Sequence, residues 1–244
     1  MRVWYMSDMH LRDIEESTKD YYRKVLSGVE TKDWLIIAGD VSANVGIIKE
    51  SLEFFSSFVS HLFFVYGNHD IYSRDLNISR IKDELVGSLK GYANIHILDN
   101  LEVELEGYRI VGSSNWYNLP DNYSRAWWST FSNDSRFVFS SARESNDFSE
   151  VDTKFLESLS GKVDILITHV PPIHLPNSPY EENYAYFCKP ELSIEPTYWV
   201  CGHQHVRYEG DFGSSKLLVN PKGYAGELEG FELKYFELGE KDVN

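Results

Sequence analysis

The stretch WLIIAGDVSANVGIIKESLEFFSSFVSHLFFVYGNHD, residues 34–70, decides the fold. It opens on a run of large apolar residues, WLII, and returns to another, LFFV (62–65). Continuous apolar runs, rather than alternating ones, predict strands covered on both faces. Between them, NVGIIKESLEFFSSFV carries apolar residues at helical spacing. A strand–helix–strand rhythm of this kind predicts an α/β core. Both strands stop at a glycine followed by ionisable or amide side chains: Gly39-Asp40, and Gly67-Asn68-His69-Asp70.

The pattern recurs along the chain. VWYM (3–6) runs into Ser7-Asp8-Met9-His10, DILIT (164–168) into His169, and YWVCG (198–202) into His203-Gln204-His205. STKDYYRKVLSGV (17–29) predicts a helix with Ser17 as its cap. LEVELEGYRIVGSS (101–114) predicts two strands turning at Glu106-Gly107, and KLLVNPKGY with GFELKYFEL predicts another strand pair near the end. Residues 115–149, rich in aromatic and small polar residues, read as an irregular insertion. No repeat or linker interrupts the chain, so residues 1–244 read as one domain.

In open α/β sheets, ligands bind beyond the carboxyl ends of the strands. Five such ends bring Asp8, His10, Asp40, Asn68, His69, Asp70, His169, His203 and His205 to one edge. Asp8 and His10, like His203 and His205, would point the same way if extended. Imidazole suits Zn-, Fe- and Mn-class metals, and carboxylate and amide oxygens suit the harder ones. The set is too large for one ion and about right for two that share a carboxylate. The glycines permit tight turns and close backbone approach. Taken singly, Asp8, Asp40 and Asn68 also fit turn or cap residues, and His203 and His205 fit surface histidines.

Five blocks stand in order: D-x-H, G-D, G-N-H-D, H and G-H-x-H. In this the chain resembles the calcineurin-like metallophosphoesterase superfamily. The resemblance implies a four-layer αββα sandwich, an α/β (α+β) fold of two mixed sheets flanked by helices. It implies two divalent ions, manganese first and Fe, Zn, Ni or Co as alternatives. One would be held by Asp8, His10, Asp40 and His205, the other by Asp40, Asn68, His169 and His203, with Asp40 bridging. A hydroxide between the ions would attack a phosphate ester in line. His69 would be the general acid, and Asp70 would accept its other imidazole N–H.

VGSSNWYN, ESNDF and VNPKGY resemble bacterial members near the cyclic-nucleotide phosphodiesterase branch. GDVSAN lacks the Arg-Gly that follows the aspartate in Ser/Thr phosphoprotein phosphatases. YGNHD likewise differs from their R-G-N-H-E and from the G-N-R-D of UDP-diacylglucosamine hydrolases. A small phosphate ester, a small nucleotide diester first, is therefore the expected substrate. A nuclease, a Ser/Thr protein phosphatase and a non-catalytic interaction module are the alternatives.

Composition narrows these classes. Hydrophobic residues make up 42% and charged residues 25%, ordinary for a globular chain. No apolar run is long enough to span a bilayer, and the first residues lack a secretory pattern, so a cytoplasmic protein without a membrane partner is expected. Cys188 and Cys201, with no CxxC spacing, are expected to be free thiols. A net charge of −15 opposes binding of extended nucleic acid but not of a small anion at a metal. Trp116, Tyr117, Tyr123, Trp127 and Trp128 form either a base-stacking platform or a small satellite core.

Overall fold

Residues 1–75 and 77–239 are described by a computed structural model of the protein. In chain order its first part holds β1 (Arg2–Met6), α1 (Glu16–Val25), β2 (Trp34–Ile37), α2 (Val45–Ser56), β3 (His61–Phe64), α3 (Ile78–Leu89) and β4 (Ile95–Ile97). Then come β5 (Leu101–Leu105), β6 (Tyr108–Ser113), α4 (Asn122–Phe131), α5 (Asp134–Phe137) and α6 (Ala142–Ser158). The last part holds β7 (Ile165–Thr168), β8 (Tyr198–Cys201), β9 (Tyr208–Phe212), β10 (Ser215–Val219) and β11 (Lys234–Glu237).

The strands form two mixed sheets, ordered β11-β1-β2-β3-β4 and β5-β6-β7-β8-β10-β9. In the first, β1 to β4 run parallel and β11 pairs antiparallel with β1. In the second, β6, β7, β8 and β10 run parallel between antiparallel edges β5 and β9. The period of two along each strand sorts side chains into layers. Val3, Tyr5, Trp34, Ile36, Phe63 and Val65 meet Ile110, Ile165, Ile167 and Val200 between the sheets. Leu35, Ile37, Leu62 and Phe64 face Tyr22, Ile48, Leu52, Phe55 and Leu85 of α1, α2 and α3. Leu166, Trp199 and Leu217 pack with Leu156 of α6 on the opposite outer face. Helix, sheet, sheet and helix give the expected αββα sandwich, and its inner strands β2, β3, β7 and β8 are buried on both faces.

Three expectations need correction. First, β10 and β11 do not pair. β10 is buried on both faces, so it enters the second sheet beside β8 and makes a hairpin with β9. β11 alternates buried and exposed residues, as an edge strand does, and joins β1. Second, residues 115–149 are largely helical. Asp121 caps α4 by accepting Ser124 N–H, and Ser141 caps α6 by accepting Glu144 N–H. The small polar residues that suggested irregular chain are partly these caps. Third, α1 begins at Glu16, so Ser17 lies inside it; Asp13 instead accepts from Glu15 N–H and the Thr18 hydroxyl.

Of the aromatics in 115–149, Trp116, Tyr117 and Trp128 are fully buried, whereas Tyr123 is exposed. The Trp128 indole donates to the Tyr117 hydroxyl and the Trp116 indole to Ser145. These three are core, not a stacking platform. Both cysteines are free. Among the described residues no helix is long and apolar enough to cross a membrane.

Candidate metal centre

All five chain segments that follow β1, β2, β3, β7 and β8 converge at one edge of the sandwich. The side chains do not reach it by extending the strands. Asp8, His10, Asp40, His203 and His205 all lie in the left-handed region, at φ 52°, 46°, 57°, 71° and 45°. Strain of this kind at five non-glycine residues costs free energy and concentrates at functional sites. The expectation that each two-apart pair shares the direction of an extended strand is thus corrected: each pair converges because both members are left-handed. Asp40 is not a helix cap either. Asn44 caps α2, accepting from Gly46 and Ile47 N–H.

The polar atoms collect into two groups. In one, His10 Nε2 lies 2.9 Å from His205 Nε2 and 3.8 Å from Asp40 Oδ2, and His205 Nε2 lies 3.5 Å from Asp8 Oδ1. In the other, Asn68 Oδ1 lies 3.1 Å from His169 Nε2 and 3.2 Å from His203 Nδ1, while His169 Nε2 lies 3.5 Å from Asp40 Oδ1. Asp40 thus presents one oxygen to each group.

Hydrogen bonds on the outer side select the inward nitrogen of three imidazoles. His169 donates through Nδ1 to Ala38 O, His203 through Nε2 to Ala185 O, and His205 through Nδ1 to Glu227. The remaining nitrogen of each keeps its lone pair for the centre. His203 therefore faces inward with Nδ1 and the other two with Nε2. The Asn68 amide is aimed in the same way: its NH₂ donates to Asp134 at 2.9 Å, which leaves Oδ1 facing His169 and His203.

Two glycines are demanded by contact. A Cβ on Gly67 would fall on the Asp40 carboxylate, and one on Gly202 would come within 2.5 Å of Asp8 Oδ2. Both carboxylates press against bare backbone, so no side chain fits there.

Asp70 does not reach the His69 ring. Its carboxylate accepts four backbone N–H groups: Asp40 at 2.7 Å, Val41 at 2.8 Å, Ser42 at 3.1 Å and Gly67 at 2.8 Å. It fastens the loop after β2 to the loop after β3, and the expected pairing with His69 is replaced by this clasp. His69 instead stacks on Tyr72, at 4.4 Å between centroids, and its Nε2 lies 3.1 Å from the Tyr224 hydroxyl.

Asp134 and Glu227 escaped sequence reasoning because each works through a partner distant in the chain; Tyr72, which stacks on nearby His69, was missed because no block includes it. Asp134 also accepts from the Tyr72 hydroxyl at 2.8 Å and the Tyr117 hydroxyl at 2.5 Å. Tyr224 lies in the VNPKGY stretch, which is its only signal.

The electrostatics fit a cation. Burial pushes the imidazoles of His10, His69 and His203 down to about 2, 4 and 4, and that of His169 down as well. Burial acts on His205 in the same sense, but the Asp8 and Glu227 carboxylates outweigh it and raise its pKa. Asp40 is fully buried beside Asp8 and Asp70, and burial and both charges push its carboxyl well above the usual range. Neutral imidazoles whose lone pairs face one another, around crowded buried carboxylates, are relieved by positive charge placed between them. Three His/Asp groups have ligand atoms within 4.8 Å of one another: Asp8–His10–His205, His10–Asp40–His69 and Asp8–Asp40–His169. A cavity of about 230 Å³ opens over them.

A family model described as calcineurin-like phosphoesterase matches residues 1–207. Among solved structures, the phosphopantetheinyl hydrolase of Mycobacterium tuberculosis is similar with a TM-score of 0.69 at 17% identity. The match covers 96% of this chain and 95% of that one. A single-site mutant of Vps29 from Entamoeba histolytica matches at 11% identity and a TM-score of 0.41, covering 98% and 87% of the two chains. At these identities the likeness concerns the fold alone. No curated protein matches the chain.

Proposed function

We propose that this chain, which belongs to the calcineurin-like phosphoesterase family and is a metal-dependent phosphoesterase, works with two divalent ions on a small phosphodiester, a nucleotide diester first. The observation that carries this reading is the pair of donor groups meeting at Asp40. Asp8, His10, Asp40 and His205 would hold one ion; Asp40, Asn68, His169 and His203 would hold the other. Two such ions supply Lewis acidity toward phosphoryl oxygens and lower the pKa of a water to about 7. Nitrogen, carboxylate and amide donors together suit manganese, and also Fe, Zn, Ni or Co.

The protein's own groups do the rest. Asp134 keeps the Asn68 oxygen turned inward. Asp134→Ala is expected to weaken metal affinity by about 10–100-fold, the usual cost of losing such an orienting partner. Metal titration by calorimetry checks this, and unchanged affinity would remove Asn68 from the ligand set. His69 presents a ring nitrogen at the cavity wall. Before substrate binds, burial keeps the ring neutral; the negative phosphate of a bound substrate favours its protonated form, and that form protonates the leaving oxygen. His69→Asn should slow hydrolysis of an alkyl diester by about 10²–10⁴-fold. A 4-nitrophenyl diester should lose much less, because nitrophenolate departs without a proton. Equal losses on both would argue against His69 as the acid.

The cavity favours a diester. Trp127, Phe131, Tyr180 and Tyr186 wall it, and among the described residues no Lys or Arg lines it. A diester brings one negative charge to be neutralised, a monoester up to two. Trp127, Phe131 and Asp134 come from residues 115–149, which supports that segment as the specificity element of a single domain. The −15 charge and the cation-free cavity count against a nuclease acting on long strands. A kinetic screen with Mn²⁺ across cyclic nucleotides, dinucleotides, short DNA and phosphopeptides tests the reading. Preference for a phosphopeptide would reverse it.

A further inference from the structure

Tyr224 is a wall of two cavities: the one over the metal centre and a second of about 530 Å³. The second is lined by His10, Arg12, Asp13, Tyr21, Tyr22 and Lys222 among others. Its charge is unlike that of the rest of the molecule. In this acidic chain, cations such as Arg2, Arg23, Lys82 and Arg109 are held in ion pairs. Arg12 makes no ion pair among the described residues. Lys222 is half-buried, and among the described residues its ammonium reaches only the carbonyl of Gly223, at 3.4 Å.

Among the described residues, two guanidinium nitrogens of Arg207 are buried without a partner, and its charge bears on the Tyr21 hydroxyl of the lining. The Tyr22 hydroxyl, on a ring only 1% exposed, is likewise buried and without a partner among them. Asp13, the one carboxylate of the lining, is already engaged by Glu15 N–H and Thr18. Partly desolvated cations and donors without partners are unfavourable unless an anion completes them. Two cations against one carboxylate leave the lining net positive, and such a cleft concentrates anions.

The position of this cleft says which part of a substrate it meets. The Tyr224 hydroxyl lies 3.1 Å from His69 Nε2, and the Tyr224 ring stacks on His10 at 4.2 Å. The leaving oxygen must come to His69, so the leaving half lies against Tyr224. We propose that the second cavity receives this leaving half, and that the half carries a phosphate of its own, as a phosphorylated nucleoside does. The inference rests on the phosphodiesterase reading above. Hydrolysis then forms one P–O bond from water and breaks the P–O bond to the phosphorylated alcohol. The alcohol oxygen takes its proton from His69, water's proton is released, and the other half leaves as a phosphomonoester. Arg12 and Lys222 hold the phosphate that does not react, and the exposed faces of Tyr21 and Tyr224 cover the base.

The test compares deoxyadenylyl-deoxyadenosine with its forms bearing an extra 5′- or 3′-terminal phosphate, using the Mn²⁺-loaded protein. Whichever form places the extra phosphate on the leaving nucleoside should show a kcat/KM at least about 10-fold above the unphosphorylated dinucleotide. In the Arg12→Ala/Lys222→Ala double variant that ratio should fall to about 1. Arg12 is exposed, so Arg12→Ala alone, with a smaller fall in the ratio, serves if the double variant does not fold. A wild-type ratio of one for both phosphorylated forms, or a ratio unmoved by either variant, overturns the proposal.

A binding arm separates this from failure of the phosphodiesterase reading. Calorimetry on metal-stripped protein should find 3′-AMP or 5′-AMP bound at least about 10-fold more tightly than adenosine, with the difference lost in the variants. If that holds while no diester is hydrolysed, the anion site stands and the phosphodiesterase reading fails. If both AMP isomers bind no more tightly than adenosine, the anion site is wrong whatever the enzyme hydrolyses.

Discussion

Asp40→Asn is expected to give a folded protein whose phosphodiester hydrolysis is slower by about 10³-fold or more, the equivalent of about 4 kcal/mol of transition-state stabilisation. Oδ1 of Asp40 lies 3.5 Å from His169 Nε2, and Oδ2 lies 3.8 Å from His10 Nε2. An amide turns a donor toward one of the two groups and removes a shared negative charge. The fold should survive. Asparagine keeps the acceptor for His69 N–H, now bonded to Asp40 at 2.8 Å, and tolerates the left-handed backbone at φ 57°.

Without metal, the variant should be at least as stable as the wild type, and increasingly so as pH rises. The folded pKa of Asp40 is raised by burial and by Asp8 and Asp70. The native state therefore binds more protons than the unfolded state between the ordinary carboxylate range and that raised value. Stability of the wild type falls as pH climbs through this window, and asparagine removes the share of that slope due to Asp40, leaving the share of Asp70, whose carboxyl burial pushes up to about 7. Urea titrations of EDTA-treated proteins at several pH values, beside a Mn²⁺-induced shift in Tm, check both halves. Full activity in the variant would mean that Asp40 does not join two ions.

The second large effect is on stability rather than chemistry. Asp70→Ala should cost more than about 4 kcal/mol, since four buried N–H groups lose their acceptor at about 1–3 kcal/mol each. Against a typical total of about 5–15 kcal/mol, urea unfolding should show a midpoint far below the wild type or no folded baseline. Asp70→Asn, which keeps one acceptor oxygen, should fall between. Had Asp70 acted through the His69 ring, alanine would leave the midpoint in place and lower kcat alone. A loss under about 1 kcal/mol would therefore restore the pairing that the sequence suggested and discard the clasp.

Asp70 shows where reading from sequence runs out. Its neighbour in the chain is His69, and proximity in sequence made the ring the natural partner. Its actual partners include Asp40, Val41 and Ser42, about thirty residues earlier. β11 is a parallel case. Its apolar residues were visible, but whether it pairs with β10 or β1 depends on which strand edge is open in the folded molecule. Residues 115–149 misled in another way. Serine and asparagine have weak helix propensity, and the buried Trp128 and Leu156 that hold α4 and α6 in place act through tertiary packing.

The residues alone sufficed to place the strands that carry the site, the order of the blocks that end them and the chemical types gathered at one edge; β4 and β9 were not legible in them. Unbroken apolar runs permit little but buried strands, and parallel strands in a layered sheet send their carboxyl ends the same way. Which nitrogen of His169, His203 and His205 faces inward, that Asp134 aims Asn68, and that Asp70 fastens two loops are settled by the folded chain. Each of these is settled by a hydrogen bond across a long separation: Asn68 to Asp134, His203 to Ala185, His169 to Ala38. A side chain's orientation belongs to the neighbours that packing brings to it, and those neighbours have no fixed spacing along the chain.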